Sequence, residues 1–281
     1  MITSTANHRI RTIRSLTRRK ERDTLGLAYV EGIRPVIEAI ESGADLETVV
    51  IASDLLTSDR AYSVLSDLQQ RTQSPSYQHL NIEYLEVSAR VFRSISNRDG
   101  PQGIAAVVRQ RWEQLEDVHL RDEDCWVALV EIADPGNLGS ILRSCDATGV
   151  DGVIVLGTSA DPYDRTALRA SSGTTFTRRL VRSNWDSFTA WARSEGVAIT
   201  GASGDAIQSY RGANYSSKSV LLMGSERKGL SQEQREACTN LVSIPMLGKT
   251  DSLNLAVATT LILYEQLHQR EVGTAVPEKS T

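Results

Sequence analysis

Apolar strand segments alternate with amphipathic helix segments over most of the 281-residue chain. The clearest strand is "WVALVEI" (126–132), which is apolar almost throughout, as is typical of a strand covered on both faces of a parallel sheet. It precedes "LGSILRSCDATG" (138–149), whose apolar residues recur at three- and four-residue spacing on one helix face, and then a second strand, "VDGVIVLG" (150–157). This alternation predicts an α/β fold with a mostly parallel sheet.

A polar stretch divides the alternating pattern into two series. Residues 25–109 contain the strand patterns "LAYVEG", "LETVVIAS" and "GIAAVVR" and predict a smaller α/β domain. Residues 110–124, "QRWEQLEDVHLRDED", are predicted to be a linker because they are polar. The second series predicts a domain over residues 125–270, and the last residues, 271–281, are predicted to form a flexible tail.

Basic residues are concentrated at the start of the chain. Residues 1–22 carry seven arginine and lysine residues and one acidic residue, whereas the whole chain has a formal net charge of -4. Residues 1–24 are therefore predicted to be a basic arm. Such an arm can bind the phosphate backbone of a nucleic acid, and the alternative is a solvated helix without a partner. The candidate nucleic-acid-binding residues of this arm are Arg9, Arg11, Arg18 and Arg19.

The lengths of the apolar runs and the spacing of Cys and His residues exclude several classes of protein. The chain has no run of eighteen or more apolar residues, and its first residues lack an apolar signal region, so neither a membrane span nor secretion is predicted. The three cysteines and four histidines are scattered and lack the spacing of metal ligands. We therefore expect a cytoplasmic protein that binds no metal ion.

Two polar turns follow predicted strands. In "DPGNLGSILR", Asn137 is a candidate helix cap and Arg143 is a candidate phosphate ligand, while a solvated arginine is the simpler interpretation of this segment alone. In "LLMGSERKGLS", Gly224 allows a ligand to approach the backbone and Glu226 can accept hydrogen bonds. Taken alone, an ordinary strand-to-helix turn with a capping glutamate explains this second segment as well.

A third segment, "SLNLAVATTLILYE" (252–265), begins a nearly continuous apolar helix with polar residues. Ser252 is predicted to cap the helix, with Asn254 in its first turn. The helix is apolar on more than one face, so we expect more than one neighbour to cover it, such as a second subunit. The preceding "GKT" is not a phosphate-binding loop, because Ser243 stands where that motif requires a glycine.

In this order, the three segments resemble the signature motifs of the SpoU (TrmH-type) branch of the SPOUT superfamily of RNA ribose 2'-O-methyltransferases. The first motif is similar to "EIADPGNLGSILRSCDATGVDGVIVLG", the second to "LLMGSERKGL" and the third to "SIPMLGKTDSLNLAVATTLILYE", within residues 125–268. The stretch 29–108, with "YVEGIRPVIEAI" and "PQGIAAV", resembles the ribosomal-protein-like substrate-binding domain that precedes the catalytic domain in many members.

The resemblance implies an architecture, a cofactor and partners. It implies a trefoil-knotted C-terminal domain with a parallel sheet, preceded by the smaller ribosomal-protein-like α/β domain. It also implies a homodimer formed through the C-terminal domain. S-adenosylmethionine is the implied cofactor. Structured RNA is the implied substrate, and the added N-terminal domain favours 23S ribosomal RNA.

The motifs also imply three groups of site residues. The residues expected to contact the methyl donor are Gly224, Ile244, Met246 and Leu253. The polar active-site positions are Asn137, Arg143, Glu226, Ser252 and Asn254. The residues expected to face the RNA, besides the arginines of the arm, are Arg143, Arg169 and Ser171.

The implied reaction is an in-line attack of a ribose 2'-hydroxyl on a sulfonium methyl group. The hydroxyl must lose its proton in or near the transition state and must be aligned with the methyl carbon. No histidine lies in the motifs, and guanidinium groups stay protonated in proteins. We therefore expect Arg143 chiefly to hold the neighbouring phosphate and to stabilise developing oxyanion charge, with a role as general base as the alternative.

Other functions compete with this interpretation. A tRNA 2'-O-methyltransferase and a non-catalytic RNA-binding or ribosome-assembly protein are both compatible with the same fold. A Rossmann-type nucleotide enzyme is disfavoured, because "ADPGNLG" does not supply the glycine fingerprint after the strand "WVALVEI".

Overall fold

The computed structural model describes residues 1–73, 82–215 and 218–274. These residues form two units. Unit 1 consists of Met1–Gln110 and Asp161–Thr177, and unit 2 consists of Arg111–Ala160 and the described residues from Arg178 onward. Within the described ranges, no helix is both long and apolar enough to cross a membrane.

Strands and helices alternate along the chain. The strands are β1 (Leu27–Glu31), β2 (Leu46–Ile51), β3 (Glu83–Glu86), β4 (Ile104–Arg109), β5 (Cys125–Val130), β6 (Gly152–Leu156), β7 (Arg179–Ser183), β8 (Ala198–Ala202), β9 (Gln208–Ser209), β10 (Ser219–Met223) and β11 (Asn240–Ser243). The helices are α1 (His8–Ser15), α2 (Arg19–Leu25), α3 (Ile33–Glu41), α4 (Asp59–Gln73), α5 (Ala89–Ile95), α6 (Pro135–Ala147), α7 (Arg165–Ser171), α8 (Trp185–Ser194), α9 (Gln232–Glu236) and α10 (Leu255–Thr274).

Unit 1 is built on a mixed sheet with the strand order β1-β4-β2-β3. Strand β4 is antiparallel to both β1 and β2, whereas β2 and β3 are parallel. The prediction of a smaller α/β domain before the larger one is confirmed.

The N-terminal segment is part of unit 1 rather than a separate arm. Ile10 and Leu16 are fully buried in the core of this unit. Arg22 is buried as well, and its Nη2 lies 2.8 Å from Oδ2 of Asp161. The predicted arm over residues 1–24 is therefore corrected: its apolar residues alternate with the basic ones, and they pack into a core that holds the segment in place.

Unit 2 is built on a sheet with the order β7-β6-β5-β10-β8-β11-β9, and every strand pairing recorded in it is parallel. Strands β5, β6 and β10 are buried along their whole length, because helices cover both faces of a sheet of this kind. The predicted α/β fold with a mostly parallel sheet is confirmed.

Of the predicted linker, residues 110–124, all but Gln110 belong to unit 2. Leu115 and Val118 are buried in the core of this unit. The guanidinium of Arg179 on β7 forms an ion pair with Glu113, in which Nη2 and Oε2 are 2.7 Å apart. The linker prediction is thus corrected, because apolar residues within the polar stretch enter the core.

The C-terminal end of the chain continues α10. This helix extends to Thr274, so residues 271–274 of the predicted tail are helical. The remaining residues of that prediction, 275–281, lie outside the described residues.

Candidate active site

The first turn of α6 is capped by Asp134. Its Oδ1 accepts a hydrogen bond from the backbone N–H of Asn137 over 2.8 Å, and Pro135 occupies the first helical position. This start is favourable because the cap satisfies one unpaired N–H and proline lacks another. The prediction that Asn137 caps this helix is wrong, and its side-chain amide makes other contacts.

Helix α10 is capped by Asn254. Its Oδ1 accepts hydrogen bonds from the backbone N–H groups of Ala256, at 2.9 Å, and Val257, at 3.3 Å. The prediction that Ser252 caps this helix is wrong, because its hydroxyl lies 3.4 Å from Oδ1 of Asp251, before the helix begins.

A directed chain of hydrogen bonds connects the three motifs. Because Oδ1 of Asn254 serves as the cap, its Nδ2 faces the neighbouring segment and donates to Oδ1 of Asn137 over 2.9 Å. Nδ2 of Asn137 then donates to Oε1 of Glu226 over 3.4 Å. Each amide nitrogen carries two hydrogens. The recorded contacts of the described residues use one hydrogen on each amide, so the second can donate to a ligand.

Glu226 ties the turn after β10 to the start of α6. Its carboxylate accepts hydrogen bonds from the backbone N–H groups of Ala133, at 3.2 Å, and Asp134, at 3.4 Å. A negative charge at the N-terminal end of a helix is favourable. The side chain is exposed, so it is a polar group that holds the site and can be reached from solvent.

Gly224 is required by the packing of the turn that follows β10. A Cβ atom at this position would lie 2.2 Å from the backbone carbon of Gly229. The backbone N–H of Gly229 donates to the carbonyl of Ser225 over 2.9 Å and closes the turn. The glycine therefore allows two stretches of backbone to approach, and its expected contact with the methyl donor stays a prediction.

A cavity of about 400 Å³ lies in unit 2, next to the segment that leads into Asn254. It is formed at the carboxyl ends of β8, β10 and β11, the edge of a parallel sheet at which ligands bind. Its lining residues are Ala202, Ser203, Gly204, Met223, Val242, Ser243, Ile244, Pro245, Met246, Asp251, Ser252, Leu253, Ala258 and Ile262.

The cavity brings together three of the four residues expected to contact the donor, namely Ile244, Met246 and Leu253. Gly224 directly follows the lining residue Met223. Apolar side chains with a few polar groups are typical of a site for a small organic cofactor. The residues that line this cavity therefore fit S-adenosylmethionine, which has an apolar adenine face and a polar amino acid end.

Arg143 is exposed on α6, outside the hydrogen-bond chain. The next residue, Ser144, packs the helix against α10, with its Oγ 2.7 Å from Oγ1 of Thr260. Within the described part of the chain, no hydrogen bond or ion pair of Arg143 is recorded. The structure thus joins Asn137, Glu226 and Asn254 but leaves this arginine unengaged.

Two residues predicted to face RNA lie in α7, which belongs to unit 1. Arg169 is exposed. Ser171 is fully buried, and its hydroxyl donates to the carbonyl of Leu168 over 3.0 Å and accepts from Oγ1 of Thr175 over 2.8 Å. The prediction that Ser171 faces RNA is therefore corrected, because its hydroxyl is used within unit 1.

The N-terminal arginines form exposed ion pairs within unit 1. The pairs are Arg9 with Glu83, Arg18 with Glu21 at 3.3 Å, and Arg19 with Asp23 at 3.6 Å. Arg11 is exposed on α1. Exposed ion pairs of this kind contribute little to stability, and the RNA contacts expected of these arginines stay a prediction.

The cysteines do not supply a nucleophile near neutral pH. Burial raises the pKa of the Cys125 thiol and that of the Cys238 thiol to about 11, and it also raises the pKa of Cys145. A thiol of raised pKa stays protonated and unreactive. Among the described residues, no three His, Cys, Asp or Glu side chains are grouped to hold a metal ion, and the expectation of no metal stays a prediction.

Known proteins resemble the chain over most of its length. Residues 124–264 match the SpoU rRNA Methylase family, and residues 7–106 match the MRM3-like substrate binding domain. The chain is 31% identical to the 23S rRNA (uridine(2479)-2'-O)-methyltransferase of Streptomyces viridochromogenes, over 92% of the chain and 88% of that relative. It is 28% identical to the 23S rRNA (guanosine(2553)-2'-O)-methyltransferase RlmP of Bacillus subtilis (strain 168), over 94% of the chain and 97% of that relative.

The fold agrees with these matches. The crystal structure of an AdoMet-bound rRNA methyltransferase from Sinorhizobium meliloti is similar with a TM-score of 0.82 and 34% identity, over 95% of this chain and 97% of that chain. The two units therefore have the α/β fold of an rRNA methyltransferase with a substrate-binding domain. Within that class, the chain belongs to the SpoU rRNA methylase family, as the three sequence motifs indicate.

Proposed function

We propose that the chain is an S-adenosylmethionine-dependent RNA ribose 2'-O-methyltransferase that acts on 23S ribosomal RNA. Its relatives carry this activity in their names and align with it over nearly their whole length. The observation that carries the proposal is the hydrogen-bond chain from Asn254 through Asn137 to Glu226, next to a cavity at the carboxyl edge of a parallel sheet.

Residues of the cavity in unit 2 would hold the methyl donor. Ile244, Met246 and Leu253 supply apolar contacts, and Gly224 leaves room for backbone approach at the end of β10. When bound, S-adenosylmethionine supplies a methyl group activated by a positively charged sulfur. Ser252 also lines this cavity and adds a hydroxyl for hydrogen bonding.

The two asparagine amides orient the ribose. Each has a second N–H hydrogen that can donate to a ribose oxygen, and the hydrogen-bond chain fixes which end of each amide carries those hydrogens. Fixed donors align the 2'-hydroxyl without a further loss of entropy at the moment of reaction. Glu226 acts through Asn137 and the backbone of the turn before α6, so it is a positioning residue.

Arg143 supplies positive charge to the RNA. It is exposed, and a guanidinium binds phosphate oxygens through two parallel hydrogen bonds. In this role Arg143 grips the phosphate next to the target ribose and stabilises negative charge that develops on the 2'-oxygen. The basic residues Arg9, Arg11, Arg18, Arg19 and Arg169 extend the RNA contacts over unit 1.

The chain forms a homodimer through α10, and the C-terminal end of unit 2 is a trefoil knot. The dimer is supported by an apolar stripe that consists of Leu253, just before this helix, and of Val257, Leu261 and Tyr264 on the helix, which expose between 36% and 50% of their surface. Their spacing of three and four residues places them on one face, and a second copy of the chain would cover it. The enzyme acts in the cytoplasm, where it meets ribosomal RNA.

The proposed function is tested by mapping 2'-O-methylation in total RNA from cells with and without the gene. We expect one 23S ribosomal RNA site to lose its methyl group and to regain it when the wild-type gene is returned. Loss at a tRNA site instead would identify the tRNA enzyme of the same family. An unchanged methylation map would favour a non-catalytic RNA-binding protein.

A further inference from the structure

A second cavity, of about 310 Å³, lies entirely within unit 1. It is bordered by the end of β1, by the loop after α5 and by α7. The lining residues that bear on its chemistry are Tyr29, Glu31, Asn97, Arg98, Arg165 and Arg169. None of the polar contacts described for the active site involves these residues.

The carboxylates of this cavity are already engaged by other groups. Glu31 is buried and accepts hydrogen bonds from the Ser96 hydroxyl and, at 3.0 Å, from the backbone N–H of Asn97. Asp164 caps α7 by accepting from the backbone N–H of Thr166 over 2.8 Å. It also lies 3.7 Å from the guanidinium of the buried Arg22.

The charges of the arginines that line the cavity are not neutralised by recorded ion pairs of the described residues. Arg98, Arg165 and Arg169 are exposed, and no ion pair of theirs is recorded among the described residues of the chain. The cavity therefore has an excess of positive charge at its rim. Three guanidinium groups around one cavity favour a phosphate group, whose oxygens accept paired N–H donors.

The guanidinium of Arg98 lies close to Gly32, at the end of β1. Gly32 has a φ of +105°, and a Cβ at this position would lie 3.1 Å from Nη1 of Arg98 and 3.0 Å from Oε1 of Gln102. The loop is fixed by the hydrogen bonds that Glu31 receives from the Ser96 hydroxyl and the residue after it. Glu31 thus holds the two residues that precede Arg98.

Tyr29, which lines the cavity, carries a polar atom without a partner among the described residues. Tyr29 is 2% exposed, and its hydroxyl has no hydrogen-bond partner among the described residues. Burial raises the pKa of this phenol, and the charge of Arg165 acts in the opposite direction. Buried hydroxyl groups are nearly always hydrogen-bonded, and an acceptor of a ligand bound next to Tyr29 would satisfy this donor.

We propose that this cavity binds one nucleotide of the RNA substrate, with Arg98, Arg165 and Arg169 on its phosphate oxygens and the Tyr29 hydroxyl as a further donor. The assignment rests on the proposed function, because the family acts on RNA. A cavity of about 310 Å³ lies at the lower end of the range of roughly 300 to 1,000 Å³ for ligand sites and accommodates a single nucleotide.

The test measures binding to a 23S ribosomal RNA transcript as a function of salt concentration. The variants are Arg98→Gln and Arg165→Gln, which remove one charge each, and Tyr29→Phe, which removes only the hydroxyl. The control is Arg93→Gln, an exposed arginine on α5 of the same unit that does not line the cavity. Thermal unfolding and S-adenosylmethionine binding verify that every variant is folded.

Each arginine variant is expected to bind RNA about tenfold more weakly, because the loss of one hydrogen bond to a charged group has an effect of this size. The slope of log affinity against log salt should decrease by about one, whereas Arg93→Gln should leave both quantities unchanged. Tyr29→Phe should weaken binding with no change in this slope. The proposal is overturned if the cavity variants bind RNA as tightly as Arg93→Gln.

Competition with adenosine 5'-monophosphate tests whether the cavity binds a nucleotide of the RNA or a free nucleotide. We expect it to compete with RNA only at millimolar concentration. If Arg165→Gln abolishes binding of this nucleotide and leaves RNA binding unchanged, the cavity holds a free nucleotide and the RNA assignment is wrong. Failure of the proposed function is recognised by a different measurement. In that case the wild-type chain would transfer no methyl group to RNA, whatever the RNA affinities of the variants.

Discussion

The side-chain amide of Asn254 donates a hydrogen bond to Oδ1 of Asn137 across 2.9 Å, although the two residues are 117 positions apart in the chain. This bond joins the first turn of α10 to that of α6. It also fixes the orientation of both amides, because Oδ1 of Asn254 is already used as the helix cap. The N–H groups that face the proposed substrate are therefore set before any ligand binds.

Two substitutions of Asn254 separate its cap from its N–H donor. Asn254→Asp keeps the capping oxygen and removes the donor, so the free energy of unfolding should change by less than about 0.5 kcal/mol while methyl transfer falls roughly a hundredfold. Asn254→Ala should lose the same activity and, in addition, about 1 kcal/mol of stability. Urea unfolding and initial rates measure the two effects. Near wild-type turnover in Asn254→Asp would show that the amide N–H is not needed.

Glu226→Gln tests the positioning of Asn137. A glutamine can turn its own N–H group toward Asn137 and the backbone donors, so the orientation of the asparagine is no longer enforced. The rate of methyl transfer should fall roughly tenfold to a hundredfold, with the affinity for S-adenosylmethionine unchanged. The control is Glu236→Gln, which removes an exposed carboxylate bonded to Gln232 on α9. Equal rates in the two variants would rule out the positioning role.

Arg143→Lys tests the paired hydrogen bonds of the guanidinium. Lysine keeps the positive charge and loses the planar fork, so we expect about a tenfold loss in kcat/KM for RNA. Arg193→Lys on α8 is a matched control, because Arg193 is also exposed on a helix of unit 2. If Arg143→Lys turns over RNA like this control, charge alone accounts for the contribution of the arginine.

Val257→Glu tests the proposed dimer. Val257 is 48% exposed in the middle of the apolar stripe on α10, and burying a carboxylate against a second copy would be strongly unfavourable. Sedimentation equilibrium should show a dimer for the wild-type chain and a monomer for this variant. Ala190→Glu, at an exposed position on α8, should remain dimeric. A monomeric wild-type chain, or a dimeric Val257→Glu, would contradict the proposed interface.

The strand and helix pattern of unit 2 could be predicted because β5, β6 and β10 are continuous apolar runs. Helix α7 and strand β7 were not predicted from the sequence. The strand is rich in arginine, and Arg179 and Arg182 on it are accommodated by stacking on Trp126 and Trp112. A strand whose charges are covered by distant aromatic residues has no local apolar signal.

The residues of the candidate site could be selected from the motifs, but their contacts could not. Asp134 and Asn137 are both capping residue types, and Pro135 is the local signal that favours Asp134 as the cap. The bond from Asn254 to Asn137 depends on how two distant helices meet, which no local pattern records. The same holds for the buried Arg22, whose partner Asp161 lies 139 positions away.

The reaction proposed for this chain is the transfer of a methyl group to a ribose 2'-oxygen of 23S ribosomal RNA. The most direct measurement incubates the purified chain with S-adenosylmethionine carrying a labelled methyl group and a 23S ribosomal RNA transcript, followed by digestion to nucleosides and mass spectrometry. We predict one labelled 2'-O-methylnucleoside, formed by the wild-type chain and strongly reduced in Asn254→Asp. Label on a base, or no label in RNA from the wild-type reaction, would contradict the proposed 2'-O-methylation.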